Sequence, residues 1–212
     1  MPHVLFLDAN WDLVTEYLFS FRTHSLASHI TPRHTVHELN GADLVQPKVD
    51  QYLRGKNIVY ISGAGHGAYD SFKGYQDAVI WAEGIKLPRL GGVIIHLLSC
   101  QAARQLGKAM IAAGARAFWG YQENFRFVRK KFPPADRYTD TSARWAIYMD
   151  CLIDIGILQG KRPDLIYDDV RKHVIQETSN LGPFDFKRAI LNHNFRHLVC
   201  PSVYWGERNS RI

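Results

Sequence analysis

The chain has 212 residues with a formal net charge of +6, 46% apolar residues and 22% charged residues. That size fits one α/β domain, and the apolar content excludes a mainly disordered chain. No apolar run approaches the roughly 20 residues of a membrane-spanning helix.

The N-terminal residues Met1–Asp8 lack a basic segment followed by a long apolar stretch, so no signal peptide is expected. Three cysteines without a CxxC pair argue against a disulfide framework or a zinc knuckle and for a reducing, cytoplasmic setting. The excess of basic residues is read as a solvated surface; nucleic acid and membrane are not expected partners. The densest basic run, Arg126–Lys131, precedes Pro133-Pro134 and reads as a loop. The ten histidines show no metal-ligand spacing, so no metal or cofactor is expected.

Val4–Leu7 is a short apolar run ending at Asp8 and reads as a buried strand. Leu13, Val14, Tyr17, Leu18 and Phe21 then share a helical face, capped by Asn10 or Asp12. Thr35–Leu39 alternates as a second strand, and Asp43 is placed to cap a helix running to about Leu53. Asn57–Ile61 is the third strand and enters Ser62-Gly63-Ala64-Gly65-His66-Gly67. Residues 68–90 hold Gly74, Gly84 and Pro88 around a short apolar piece, which predicts a hairpin or lid.

Gly92–Leu98 is the fourth strand and stops at Ser99-Cys100; a helix over 104–113 ends at Gly114. Ala115–Tyr121 is the fifth strand. Helices follow at about 140–159 and 163–179, divided by Gly160 and Pro163, and Arg196–Cys200 reads as a sixth strand. Alternation of this kind predicts one domain over 1–212 with a mainly parallel sheet between helical layers.

In such a sheet, ligands bind at the carboxyl ends of the strands. Two strand ends carry reactive groups there, His66 and Cys100. A thiol attacks as the thiolate, and an imidazole can hold or generate that state. A helix opening just after Cys100 would favour thiolate and oxyanion through its positive end. Glycines beside His66 would keep the turn open to a substrate carbonyl, and the Gly67 N–H could donate to an oxyanion. Taken singly, a cysteine ending an apolar strand is more often core, and Gly-His-Gly more often a turn. Cys151 and Cys200 sit in apolar stretches and read as core, as does His96 inside the fourth strand.

Val59–Gly67, Leu97–Cys100 and the helix from Gly107 into Ala113-Gly114-Ala115-Arg116-Ala117 resemble the caspase-like (clan CD) cysteine peptidases, nearest the CHAT and gingipain-like branches. His37–Ala42 resembles the second-strand region of those domains, and Leu158–Lys161 with the helix that follows resembles their late helical pair. The resemblance spans about residues 4–205. It implies a caspase-like three-layer αβα sandwich with a sheet of about six strands. It also implies a cysteine endopeptidase of protein or peptide substrates, with His66 as catalytic histidine and Cys100 as nucleophile. The Gly67 and Cys100 N–H groups would form the oxyanion hole. Metacaspases and clostripain-like enzymes carry an acidic residue two positions before the nucleophile; Leu98 stands there in this chain. Glu123 and Asp8 are the acids placed to wall a basic P1 pocket, though either could equally face water at a loop. The Arg126–Lys131 loop would then be a self-cleavage candidate, and any further regulation would fall to a partner protein. The competing expectation is a non-catalytic module of the same fold that docks partners.

Overall fold

The computed structural model describes residues 1–30, 32–84, 87 and 90–200. The central sheet runs β2-β1-β3-β7-β8-β9. Its strands are β1 (His3–Asp8), β2 (Thr35–Asn40), β3 (Ile58–Ala64), β7 (Ile94–Leu98), β8 (Ala117–Tyr121) and β9 (Leu198–Val199). All neighbours are parallel except β8 with β9. The inner strands β1, β3, β7 and β8 read as mainly apolar runs because parallel sheets are covered on both faces, whereas edge strand β2 alternates.

One face carries α1 (Leu13–Leu26), α4 (Thr141–Leu158), α5 (Pro163–Thr178) and α6 (Phe186–Arg196) over a core that includes Phe6, Tyr60 and Trp119. The other carries α2 (Gln46–Gly55), α3 (Leu106–Ala112) and a small antiparallel sheet over Leu5, Ile61 and Ile95. That small sheet is β4 (Gly67–Ala68), β5 (Ser71–Lys73) and β6 (Val79–Ala82), which fulfils the expectation of a hairpin within 68–90. The architecture is the three-layer α/β sandwich expected from the alternation of elements.

Several local expectations are corrected. Asp43 lies in a short 3-10 turn (Gly41–Asp43), and α2 starts at Gln46 with Pro47 in its first turn and no side-chain cap. Proline is pre-set for a helix start and outcompetes the upstream acid. Val14, assigned to the buried face of α1, is 38% exposed. Helix α6 falls in the stretch between 179 and 196, for which the sequence assigns no element; Asp185 caps it by accepting from the Lys187 and Arg188 N–H groups. Helix α3 begins only at Leu106, so its positive end does not abut Cys100.

Candidate active site

Strands β3 and β7 are parallel neighbours with Ala64 opposite Leu98, so His66 and Cys100 leave the same edge of the sheet. The Gly65 N–H donates to the Leu98 carbonyl at 3.2 Å and ties the two turns together. The His66 carbonyl accepts from the Lys73 N–H, which starts the β4–β5 hairpin. Glycine is required at 67 by close approach. A Cβ there would lie 1.9 Å from Ser99 Oγ, 2.9 Å from the Ser71 carbonyl and 3.0 Å from the Cys100 carbonyl. The space beside Gly67 is thus filled by the Ser99-Cys100 turn and is not the open approach expected for a substrate. Gly65 is equally enclosed, with the Lys73 carbonyl 2.5 Å from its missing Cβ.

His66 has a partner that the sequence did not assign to it. Its Nε2 lies 2.7 Å from Asp12 Oδ2. Asp12 is also the N-cap of α1, where its Oδ1 accepts from the Thr15 N–H and hydroxyl, both at 2.8 Å. One carboxylate therefore starts the helix with one oxygen and fixes the imidazole with the other. Partial burial works to raise the Asp12 pKa, but the Thr15 N–H and then His66 outweigh it, so Asp12 is held below the usual carboxylate range. The Trp11 ring meets His66 edge-on, with centroids 5.9 Å apart. With Nε2 engaged, Nδ1 is the nitrogen left to take or give a proton.

Cys100 is half-buried and forms no disulfide. Burial pushes its thiol up from the ordinary value, against a bond from the Phe125 backbone N–H. This agrees with the late start of α3: no helix end stabilises a thiolate here. Gln101, the next residue, has φ +58°, a left-handed conformation that is uncommon outside glycine. Its N–H donates to the Glu123 carbonyl at 3.2 Å, and its side chain donates to Asn124 at 2.9 Å. The turn after Cys100 is therefore held in that strained shape by the segment following β8.

The two candidate P1 acids fall in different places. Glu123 borders the Cys100 turn, and its carboxylate is paired with Arg104, whose Nε also donates to the Gln122 carbonyl at 2.7 Å. Asp8 ends β1, two strand spacings or about 10 Å from β7. Its Oδ1 accepts from Arg22 Nε at 2.8 Å beneath α1, which takes it out of the acids available to wall a P1 pocket.

Arg22 belongs to a buried polar network between the sheet and α1/α4. Its NH1 bonds Asp154 at 2.7 Å, and its NH2 donates to Ser62 at 2.7 Å. The Tyr60 hydroxyl donates to Asp154, and the Tyr121 hydroxyl donates to Asp150 at 2.9 Å. His96 bridges the two acids, with Nδ1 2.9 Å from Asp154 and Nε2 3.1 Å from Asp150. Burial alone would lower the His96 pKa; the two carboxylates outweigh it and hold it at about 9. His96 is thus a hydrogen-bonded core histidine, as expected. His96, Asp150 and Asp154 are also the one group among the described residues whose ligand atoms are close enough to hold a metal ion. Each of these side chains is already hydrogen-bonded in the buried network, and none touches the His66–Cys100 turns.

Comparison with models of known protein families and with curated proteins found no match to this chain.

Proposed function

We propose that the protein is a cysteine endopeptidase working through Cys100 and His66, with Asp12 as the residue that positions the imidazole. One observation carries this reading. The two turns bearing His66 and Cys100 leave adjacent parallel strands and pack directly on each other through Gly67, while the Asp12 carboxylate holds His66 through Nε2.

The chemistry follows from the protonation states. Because burial keeps Cys100 as a thiol, His66 Nδ1 must remove its proton as the sulfur attacks the peptide carbonyl. The imidazolium formed is stabilised by Asp12. The oxyanion takes a hydrogen bond from the Cys100 N–H group; Gly67, whose flank is filled, is left out of this role. Collapse breaks the C–N bond, His66 returns the proton to the leaving amine, and a thioester remains. Water, deprotonated by the same imidazole, then releases the acid and restores the thiol. No step calls for a metal.

The Arg104–Glu123 pair borders this turn and supports selection of a charged P1 side chain, a basic one drawing Glu123 and an acidic one drawing Arg104. Arg129, Lys130 and Lys131 are exposed, which keeps their loop a candidate for self-cleavage. No helix among the described residues is long and apolar enough to cross a membrane. The three cysteines form no disulfide, which supports a cytoplasmic setting.

The test is turnover of a degenerate peptide library read by mass spectrometry. Cleavage by the native chain that disappears in both Cys100→Ala and His66→Ala supports the reading. Folded protein that cleaves nothing, or cleavage that survives Cys100→Ala, refutes it; the first result would leave a docking module as the better account.

A further inference from the structure

A cavity of about 150 Å³ lies beneath α1 at the β2 edge of the sheet, away from the His66–Cys100 turns. Its lining includes the apolar Phe6, Phe19, Leu26 and Ile30 and the acids Asp8 and Glu38. Phe6 pairs in register with Glu38. The two-residue period of a strand then puts Phe6 and Asp8 on one face of β1 and Glu38 on the same face of β2.

Asp8 is only 8% exposed, yet just one of its oxygens is used. Oδ1 takes the Arg22 bond, and Oδ2 accepts no hydrogen bond among the described residues. Arg22 also touches the cavity, but its Nε, NH1 and NH2 are spent on Asp8, Asp154 and Ser62. The buried network holds three carboxylates, Asp8, Asp150 and Asp154, against two cations, Arg22 and His96. With Asp8 ionised it is one positive charge short; burial outweighs Arg22 and raises the Asp8 pKa, and the exposed Glu38 on the neighbouring strand adds a further negative charge. The fully buried orphan oxygen of the network is Asp150 Oδ2, which does not line the cavity, whereas Asp8 Oδ2 keeps access to it. Asp8 is the member of this network that lines the cavity.

We propose that this cavity binds a short primary alkylammonium group. The ammonium would sit between Asp8 and Glu38, and the chain would lie along Phe6, Phe19, Leu26 and Ile30. A cavity of this size holds a ligand of about six heavy atoms, which suits a stem of about three to five carbons. A free amine and a lysine side chain share that chemistry.

Calorimetry on the full chain at low ionic strength tests this with n-butylammonium chloride and Nα-acetyl-lysine methylamide as the two sources. n-Butanol and tetramethylammonium serve as controls for shape and for charge. The expected result is saturable binding of one or both amines, at least about tenfold tighter than either control and at least about tenfold weaker in Asp8→Asn. Because Asp8→Asn also deprives Arg22 of a partner, Ala27→Phe is the second variant. Ala27 lies on the exposed rim of the cavity, so the phenyl ring blocks the mouth and leaves every charge in place. Binding that Ala27→Phe abolishes supports the site and, by which amine binds, names the source. No binding of either amine, butanol binding as tightly, or binding unchanged in Ala27→Phe overturns it.

Discussion

Asp12→Asn separates the two duties of Asp12. Asparagine caps a helix about as well as aspartate, so the variant keeps the Thr15 bonds and its folding stability should stay within about 0.5 kcal/mol of the native chain. Asp12→Ala, which loses the cap, should cost about 1 kcal/mol. Toward His66 the change is larger. With its carbonyl oxygen held by Thr15, the asparagine presents its NH2 to Nε2, 2.7 Å away in the native chain, in place of an accepting oxygen. Nε2 must then accept, so the ring proton moves to Nδ1, the nitrogen required as base, and no carboxylate remains to stabilise the imidazolium. The corresponding carboxylate-to-amide change in serine peptidases costs about 10⁴-fold, and a loss of about 10²–10⁴-fold is expected here. The assay pairs urea unfolding with the rate of iodoacetamide reaction at Cys100 and with kcat/KM on a cleaved peptide. Unchanged stability with a large fall in kcat/KM fits the positioning role. Activity within about threefold of native would refute it.

Three further outcomes can be measured. Gly67→Ala forces a methyl to within 1.9 Å of Ser99 Oγ and about 3 Å of two carbonyls. It should cost at least about 1–3 kcal/mol in urea unfolding; adding Ser99→Ala should restore only part of it, because the backbone contacts remain. Arg22→Met leaves Asp8 buried without its cation and Asp154 with His96 alone, and should cost about 3–5 kcal/mol; a loss under about 1 kcal/mol would mean that Arg22 does not carry this network. His96 has a folded pKa of about 9 against 6.5 unfolded, so its contribution is complete below pH 6.5 and is lost as pH rises through about 9. That shift corresponds to about 3 kcal/mol. Unfolding at pH 6 and pH 10 should differ by an amount of this order in the native chain and by far less in His96→Asn; a native chain equally stable at both pH values would contradict the charged bridge.

Strands β1, β3, β7 and β8 were legible because each is a short, mainly apolar run ending at a polar or glycine-rich turn, as in Val4–Leu7 before Asp8 and Ile94–Leu98 before Ser99, and β2 was legible by its alternation. The pairing of His66 with Cys100 at one sheet edge followed from that order. What the sequence hid is tertiary. Asp12 reads as a cap because its second oxygen reveals its use only when β1 and β3 lie side by side. Charged residues are ordinarily exposed, so Arg22, Asp150 and Asp154 disclose their burial only through one another. The helix expected over 104–113 starts only at Leu106, because Gln101 is held at positive φ by Glu123, and the Gln105 and Leu106 N–H groups both donate to the Tyr69 carbonyl. Helix α6 was missed because its polar residues, Asn192, His193 and Asn194 among them, mask a narrow apolar stripe. Within it the buried Asn194 instead clamps both backbone groups of Arg126.

The most direct measurement on the central claim is mass spectrometry of the protein after incubation with two acyloxymethyl-ketone peptides, one with arginine and one with aspartate at P1. Cys100→Ala and His66→Ala serve as controls. We predict a single adduct on Cys100 with one of the two probes, absent in Cys100→Ala and strongly slowed in His66→Ala, its P1 charge reporting whether Glu123 or Arg104 meets the substrate. Labelling of Cys100 by iodoacetamide with no adduct from either peptide, or peptide labelling as fast in His66→Ala as in the native chain, would contradict a working Cys100–His66 pair.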